Sequence, residues 1–197
     1  TKNIPVKFVT RGETIDVVQP VQKAKQKGSQ TAVITNVLGS TLYRTCDFKL
    51  LLNAGPEKAV ISTKAFTAQL ALLYLLAGAV RGNFRSSQKS IKRLGSVLEG
   101  WMSDRLLGRI TRLAKELMDE EDMYVIGKHL NFPAALEFAL KIKETSYIHA
   151  EPFASGELKH GVITLIQEGT PCFVLASEDN VKNEVLSSAA ELKARGG

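Results

Sequence analysis

Glu137, Lys141 and Glu144 recur at i, i+4 and i+7 within a stretch of helical pattern, so one helix face carries two carboxylates with an ammonium between them. A carboxylate held beside a cation can move a proton between adjacent carbons, but the same spacing also describes a solvated helix face with a Glu–Lys pair. The continuation of the chain separates the two readings. SYIHAEPF, an aromatic-rich exit from the helix, leads into GELKHG, where Glu157, Lys159 and His160 follow no apolar period that packing would impose. Residues 134–161 are therefore a candidate acid–base stretch. Outside that context His160 would be an ordinary loop histidine, which is how His129 and His149 read.

Two positions further upstream suit an anion. Gly12-Glu13-Thr14 and Ser62-Thr63-Lys64 each stand where the chain passes from a strand-end loop into a helix, and the free N–H groups of a helix start favour phosphate. Thr14 and Ser62 are equally suited to cap those helices with their own hydroxyls. Lys64 reads as a solvated lysine at a helix start. No pair of histidines and carboxylates falls at a zinc-binding spacing such as HExxH, so neither a metal nor another cofactor is expected.

Short apolar runs and the segments between them set out the elements that must position these residues. Strands are expected at 6–9, 31–35 and 48–52, with a helix opening at 12–14 and closing near Gly28, a loop at 36–41, and a second helix from 62. Residues 82–121 show leucines at helical spacing and no strand. Alternation restarts with strands at 123–127 and 171–176, helices at 131–144 and 180–195, and a short helix or turn at 162–166. Such alternation argues for α/β architecture with parallel sheets. The expected organisation is a first unit over 1–81, a helical connector over 82–121 and a second unit over 122–197.

With 44% hydrophobic and 23% charged residues among 197, the composition excludes disordered and fibrous classes. The net charge of +6 favours anionic partners. Its basic residues concentrate between 81 and 115, interleaved with leucines as on amphipathic helices. That segment offers only Trp101 and Phe84 for stacking and no nucleic-acid motif, so phosphorylated metabolites fit better than nucleic acid. Cys46 and Cys172 lack CxxC spacing and read as buried thiols of a reducing compartment. The apolar run 65–80 is about four residues short of a bilayer span and is expected to be a buried core helix. Together these features lead to a cytoplasmic protein with no membrane contact.

Four motifs in order carry a family resemblance: Gly12-Glu13-Thr14, TNVLGST over 35–41, AGPE over 54–57 and STKAFTAQL over 62–70. The chain resembles the sugar-isomerase (SIS) domain of the glucosamine-6-phosphate synthase family, which converts fructose 6-phosphate and ammonia into glucosamine 6-phosphate. The resemblance implies two SIS-type three-layer α/β/α units. It implies that Glu144 is the base moving a proton between C1 and C2, that Lys141 and Glu137 line the same site, and that His160 opens the sugar ring in the site of a neighbouring subunit, hence a homodimer. It assigns substrate contacts to Thr10, Gly12, Thr14, Val60 and Ser62.

The departures from the family pattern are equally specific. Val9-Thr10-Arg11 stands where the family has Ser-x-Ser, and a stretch holding a core strand is expected to be absent beside it. The first SIS strand with its Gly-Thr-Ser loop, the final strand, the tail lysine and the glutaminase domain are all expected to lie outside these residues. Two other functions share the motifs: a stand-alone SIS-type glucosamine-6-phosphate deaminase or deglycase, and a non-catalytic sugar-phosphate sensor. Retention of Glu137, Lys141, Glu144 and His160 together favours an enzyme, since a sensor needs no enolising base.

Overall fold

The computed structural model describes residues 12–197 and, as backbone, 6–8. The chain divides into two compact units, Thr1–Met102 and Ser103–Gly197. In the first, β1 (Val6–Phe8), β2 (Ala32–Thr35) and β3 (Phe48–Leu51) form a parallel sheet in that spatial order. Helix α1 (Ile15–Gln26) crosses from β1 to β2, and a short α2 (Thr41–Thr45), not foreseen in the sequence, crosses to β3. Helix α1 ends as its sequence promises. Gly28 takes φ +73°, its N–H meets the Lys25 carbonyl, and the Ser29 N–H reaches back to Ala24. One face of the sheet packs Val33 against Val18 and Val21 of α1, Leu42 of α2 and Cys46.

Asp47 closes this unit at the entrance to β3. Its carboxylate accepts the Thr31 backbone N–H at 2.7 Å and hydroxyl at 2.9 Å, and the Lys25 ammonium at 3.0 Å. The Thr31 backbone bond, followed by the Lys25 hydrogen bond, holds the Asp47 carboxyl down from an ordinary 3.8 to about 2. A depressed carboxyl adds stability above its unfolded value and loses that stability as pH falls through its folded value. Acid unfolding followed by circular dichroism is therefore expected to show a loss between about pH 4 and pH 2 that Asp47→Asn does not show.

Helices α3 (Thr63–Val80) and α4 (Phe84–Trp101) complete the first unit. They cross tightly where Gly78 meets Ser87: a methyl group on Gly78 would come within 2.0 Å of the Ser87 hydroxyl. The expectation of a buried core helix for 65–80 fails here, because only Ala65 and Gly78 of α3 are buried. This helix carries more apolar surface than its neighbours cover. Leu73 and Leu76 border a cavity of about 300 Å³ with Ile34, Phe48 and Leu50, and Leu70 and Tyr74 line an open groove against α4. By length and composition alone α3, at 18 residues and mean hydropathy 1.4, passes the test for a bilayer span.

The second unit begins with α5 (Asp104–Glu116), so the expected connector is divided between the units, α4 in one and α5 in the other. Its parallel sheet has β4 (Asp122–Gly127) in the centre, β5 (His149–Ala154) on one side and β6 (Cys172–Leu175) on the other. Helix α6 (Asn131–Ser146) connects β4 to β5. Two 3-10 turns, Ser155–His160 and Val162–Leu165, precede β6, and α7 (Lys182–Ala194) follows it. The alternation of β4 sorts its neighbours. Met123 and Val125 pack with Ala135 and Ala139 of α6, whereas Tyr124 and Ile126 pack with Leu158 of the first turn and Leu192 of α7. So α6 covers one face of the sheet, and the 155–160 turn with α7 covers the other.

Strand β5 corrects the reading of SYIHAEPF as a mere exit. Pro152 and Glu151 interrupt its apolar pattern, which an edge strand tolerates because its outer N–H groups need no sheet partner. Cys46 is buried and Cys172 only half-buried, short of the expectation for the latter; burial pushes both thiols up.

Candidate functional site

In the first unit the four motifs meet at the carboxyl ends of the strands, and hydrogen bonds between them explain their residue types. Gly12 takes φ +75°, and a side chain there would lie 2.3 Å from the Ser40 hydroxyl, so glycine is required. Its carbonyl accepts the Leu42 N–H, while the Glu13 carboxylate accepts the Thr41 N–H at 2.7 Å; these two bonds fasten the Gly12–Thr14 loop to the start of α2. Hydrogen bonding from the Thr41 hydroxyl and backbone N–H holds the Glu13 carboxyl below its usual range. Asn36, just beyond β2, accepts the Ala54 N–H at 3.0 Å and donates to the Gly55 carbonyl at 2.7 Å, so it grips the AGPE turn from both sides. Glu57 ends that turn by accepting the Ala65 N–H at 2.8 Å at the start of α3. An acid there also meets the positive end of the helix.

These loops wall an open cleft of about 740 Å³ that includes Glu13, Asn36, Asn53, Gly55 and Glu57. Thr14 and Ser62 occupy the N-cap positions of α1 and α3, and neither hydroxyl makes the capping bond that would account for it. The Ser62 hydroxyl donates instead to the Val60 carbonyl at 3.5 Å, and both residues stand at helix starts that attract an anion. Val60 is largely exposed beside Ser62. Thr10 lies outside the described residues. Lys64 is not simply solvated: its ammonium donates to the Pro56 carbonyl at 2.5 Å and steadies the AGPE turn.

Ser62 also sits in the left-handed region at φ +51°, an uncommon conformation for any residue but glycine or asparagine. Holding a serine there costs about 1 kcal/mol. Ser62→Gly is expected to leave the fold intact and to raise the stability measured by urea unfolding by up to about 1 kcal/mol, while it removes the hydroxyl.

In the second unit the trio forms as its spacing predicts. The Lys141 ammonium lies 2.6 Å from Glu144 and 3.5 Å from Glu137, and all three side chains are a quarter to a third exposed. Burial works against the Lys141 charge, but the Glu144 hydrogen bond and the charges of both carboxylates outweigh it, so its pKa is raised and it stays an ammonium. Glu144 stands near the end of α6, which runs back from β4 to the start of β5. The acid–base face thus lies toward the amino ends of the strands, not at the carboxyl-end crevice where the general rule for α/β sheets would put it.

His160 closes the 3-10 turn after β5 and is exposed. The turn docks through Leu158 and an ion pair of Lys159 with Glu191 of α7 at 2.9 Å. It therefore belongs to the face of the sheet opposite α6, and the structure does not bring His160 and Glu144 together within the unit. His149 hydrogen-bonds Asp122 at 2.7 Å. Among the described residues no group of three or more His, Cys, Asp or Glu side chains is arranged to hold a metal ion.

Parallel sheets flanked by helices, with strand-end loops tied around a cleft in the first unit, define a two-unit α/β protein. The chain belongs to the SIS domain family, whose model matches residues 3–79 and 116–197. It is 40% identical over 196 residues to the glutamine–fructose-6-phosphate aminotransferase (isomerizing) of Aquifex aeolicus, and 41% identical over 209 residues to that of Corynebacterium glutamicum. These alignments take in 100% and 99% of this chain and 33% of each relative, so the chain spans about a third of the curated relatives it matches. Among solved structures, the C-terminal domain of the glucosamine-fructose-6-phosphate aminotransferase of Francisella tularensis superposes with a TM-score of 0.85 at 33% identity, covering 100% of this chain and 59% of that one.

Proposed function

We propose that this chain is part of the isomerase domain of an enzyme that takes fructose 6-phosphate to glucosamine 6-phosphate with ammonia supplied from elsewhere. The observation that carries the reading is the likeness, along the whole chain, to aminotransferases named for that conversion. Thr14, with Gly12 and Thr10, receives the phosphate at the start of α1, and Ser62 and Val60 contact the sugar. His160 of a second copy opens the ring. Ammonia and the C2 carbonyl of the open ketose lose water to form a fructosimine. The Glu144 carboxylate then removes a proton from C1; that electron pair forms the C1–C2 double bond while the C2=N π pair moves to the protonated nitrogen, giving an enolamine. Return of the proton at C2, with loss of the O1 hydroxyl proton as the C1 carbonyl forms, leaves the amino aldose. Lys141 and Glu137 hold the hydroxyl and imine groups during these transfers, and Lys141 also orients Glu144.

A thermal-shift titration with fructose 6-phosphate and glucosamine 6-phosphate tests the reading. A ligand at 100 times its dissociation constant stabilises by about 2.7 kcal/mol, which displaces the melting curve by several degrees. A curve that moves with neither sugar phosphate overturns it.

A further inference from the structure

Thr14 and Ser62 stand at opposite ends of one hydrogen-bonded path. From Gly12 and Glu13 it passes to the start of α2 and back along the 36–41 loop to Asn36, where the Ser40 N–H meets the Val37 carbonyl at 3.4 Å and the Val37 N–H meets the Thr35 hydroxyl at 3.2 Å. Asn36 carries it to Ala54 and Gly55, and Glu57 with Lys64 carries it into α3, whose N-cap is Ser62. The joints between motifs are side chains of one bonded to the backbone of another: Glu13 to Thr41, Asn36 to Ala54 and Gly55, Glu57 to Ala65 and Lys64 to Pro56. Glu13 and Glu57 line the cleft yet point their carboxylates at backbone N–H donors, which blunts their repulsion of an anionic ligand.

We propose that Asn36 and Glu57 are positioning residues that fix the separation of Thr14 and Ser62, and thereby make the cleft selective for a phosphate carried on a sugar over free phosphate. The inference rests on the sugar-phosphate reading above. On that reading the phosphate sits at the α1 end and Ser62 contacts the sugar, so the affinity for free phosphate is indifferent to where Ser62 stands. A sugar phosphate must satisfy both ends at once, and a rigid frame spares it the cost of ordering them.

Calorimetric titration with inorganic phosphate and with fructose 6-phosphate separates the two ends. Asn36→Ala and Glu57→Ala are expected to weaken fructose 6-phosphate about tenfold or more and inorganic phosphate less than about twofold, tenfold being the effect of one well-placed hydrogen bond. Glu57→Gln keeps an acceptor for the Ala65 N–H and is expected to restore near-native selectivity; Asn36→Asp keeps the Ala54 bond alone and falls between. If the two ligands weaken equally, or neither changes, while the unsubstituted protein binds fructose 6-phosphate, the residues are merely structural and the positioning role is overturned. If the unsubstituted protein binds phosphate but no sugar phosphate, the functional reading falls and takes this inference with it.

Discussion

On the proposed mechanism Glu144→Gln is expected to slow proton exchange at C1 of fructose 6-phosphate sharply while leaving the sugar phosphate bound. Glutamine matches glutamate in shape and keeps an oxygen for the Lys141 ammonium, 2.6 Å away in the native chain, but it cannot accept a proton from carbon. General-base catalysis contributes typically 10²–10⁴-fold, so deuterium incorporation from heavy water, followed by proton NMR, is expected to slow at least about 100-fold. Uptake of deuterium isolates the enolising step and needs no ammonia source. The melting shift with fructose 6-phosphate should persist, because Thr14 and Ser62 lie in the other unit and on other elements. A second readout follows from the charge. The Lys141 pKa is raised by Glu144 and Glu137 against the opposing effect of burial, so loss of the Glu144 charge should lower it, as a carbon-13 titration of the lysine side chain would show. Exchange at the native rate in the variant would remove Glu144 from the mechanism, whatever happened to the lysine.

The parts of the molecule legible in its sequence are those governed by local rules. TAVIT and MYVIG are apolar enough to be read as strands without further context, and Glu137, Lys141 and Glu144 needed only the helical period to be placed on one face. Strand β5 was hidden because an edge strand is excused the regular alternation that marks a half-buried one, and its Pro152 argued against it. Helix α3 misled for the opposite reason. Its composition promises a core, but burial depends on how much surface neighbouring elements offer, and in the first unit that is less than the helix carries. The roles of Glu13, Asn36 and Glu57 were out of reach of spacing arguments, since their backbone partners lie 8 to 28 residues away across loops. The usable signal was an acid shortly ahead of each helix start. In the structure the acids and the amide bind the protein, and the Thr14 and Ser62 hydroxyls beside them make no capping bond.

Equal amounts of Glu144→Gln and His160→Ala chains, each inactive alone, are expected to regain about a quarter of the native activity when dissociated and reassembled together. The reason lies in the sheet of the second unit. Alternate residues of β4 point to opposite sides, Val125 toward α6 and Ile126 toward the turn that ends in His160. On the proposed reading a substrate at Glu144 is separated from the same chain's His160 by the sheet, and a second copy presents the histidine to it. In a dimer with two such shared sites, random reassembly makes half the dimers mixed. Each mixed dimer has one site with both lesions and one with neither, which gives about one quarter overall. Activity in the mixture should also fall on dilution more steeply than protein concentration, because the intact site exists only while two chains are joined. Were Glu144 and His160 to act within one chain, every site in every dimer would retain a lesion, and reassembly would restore nothing at any concentration.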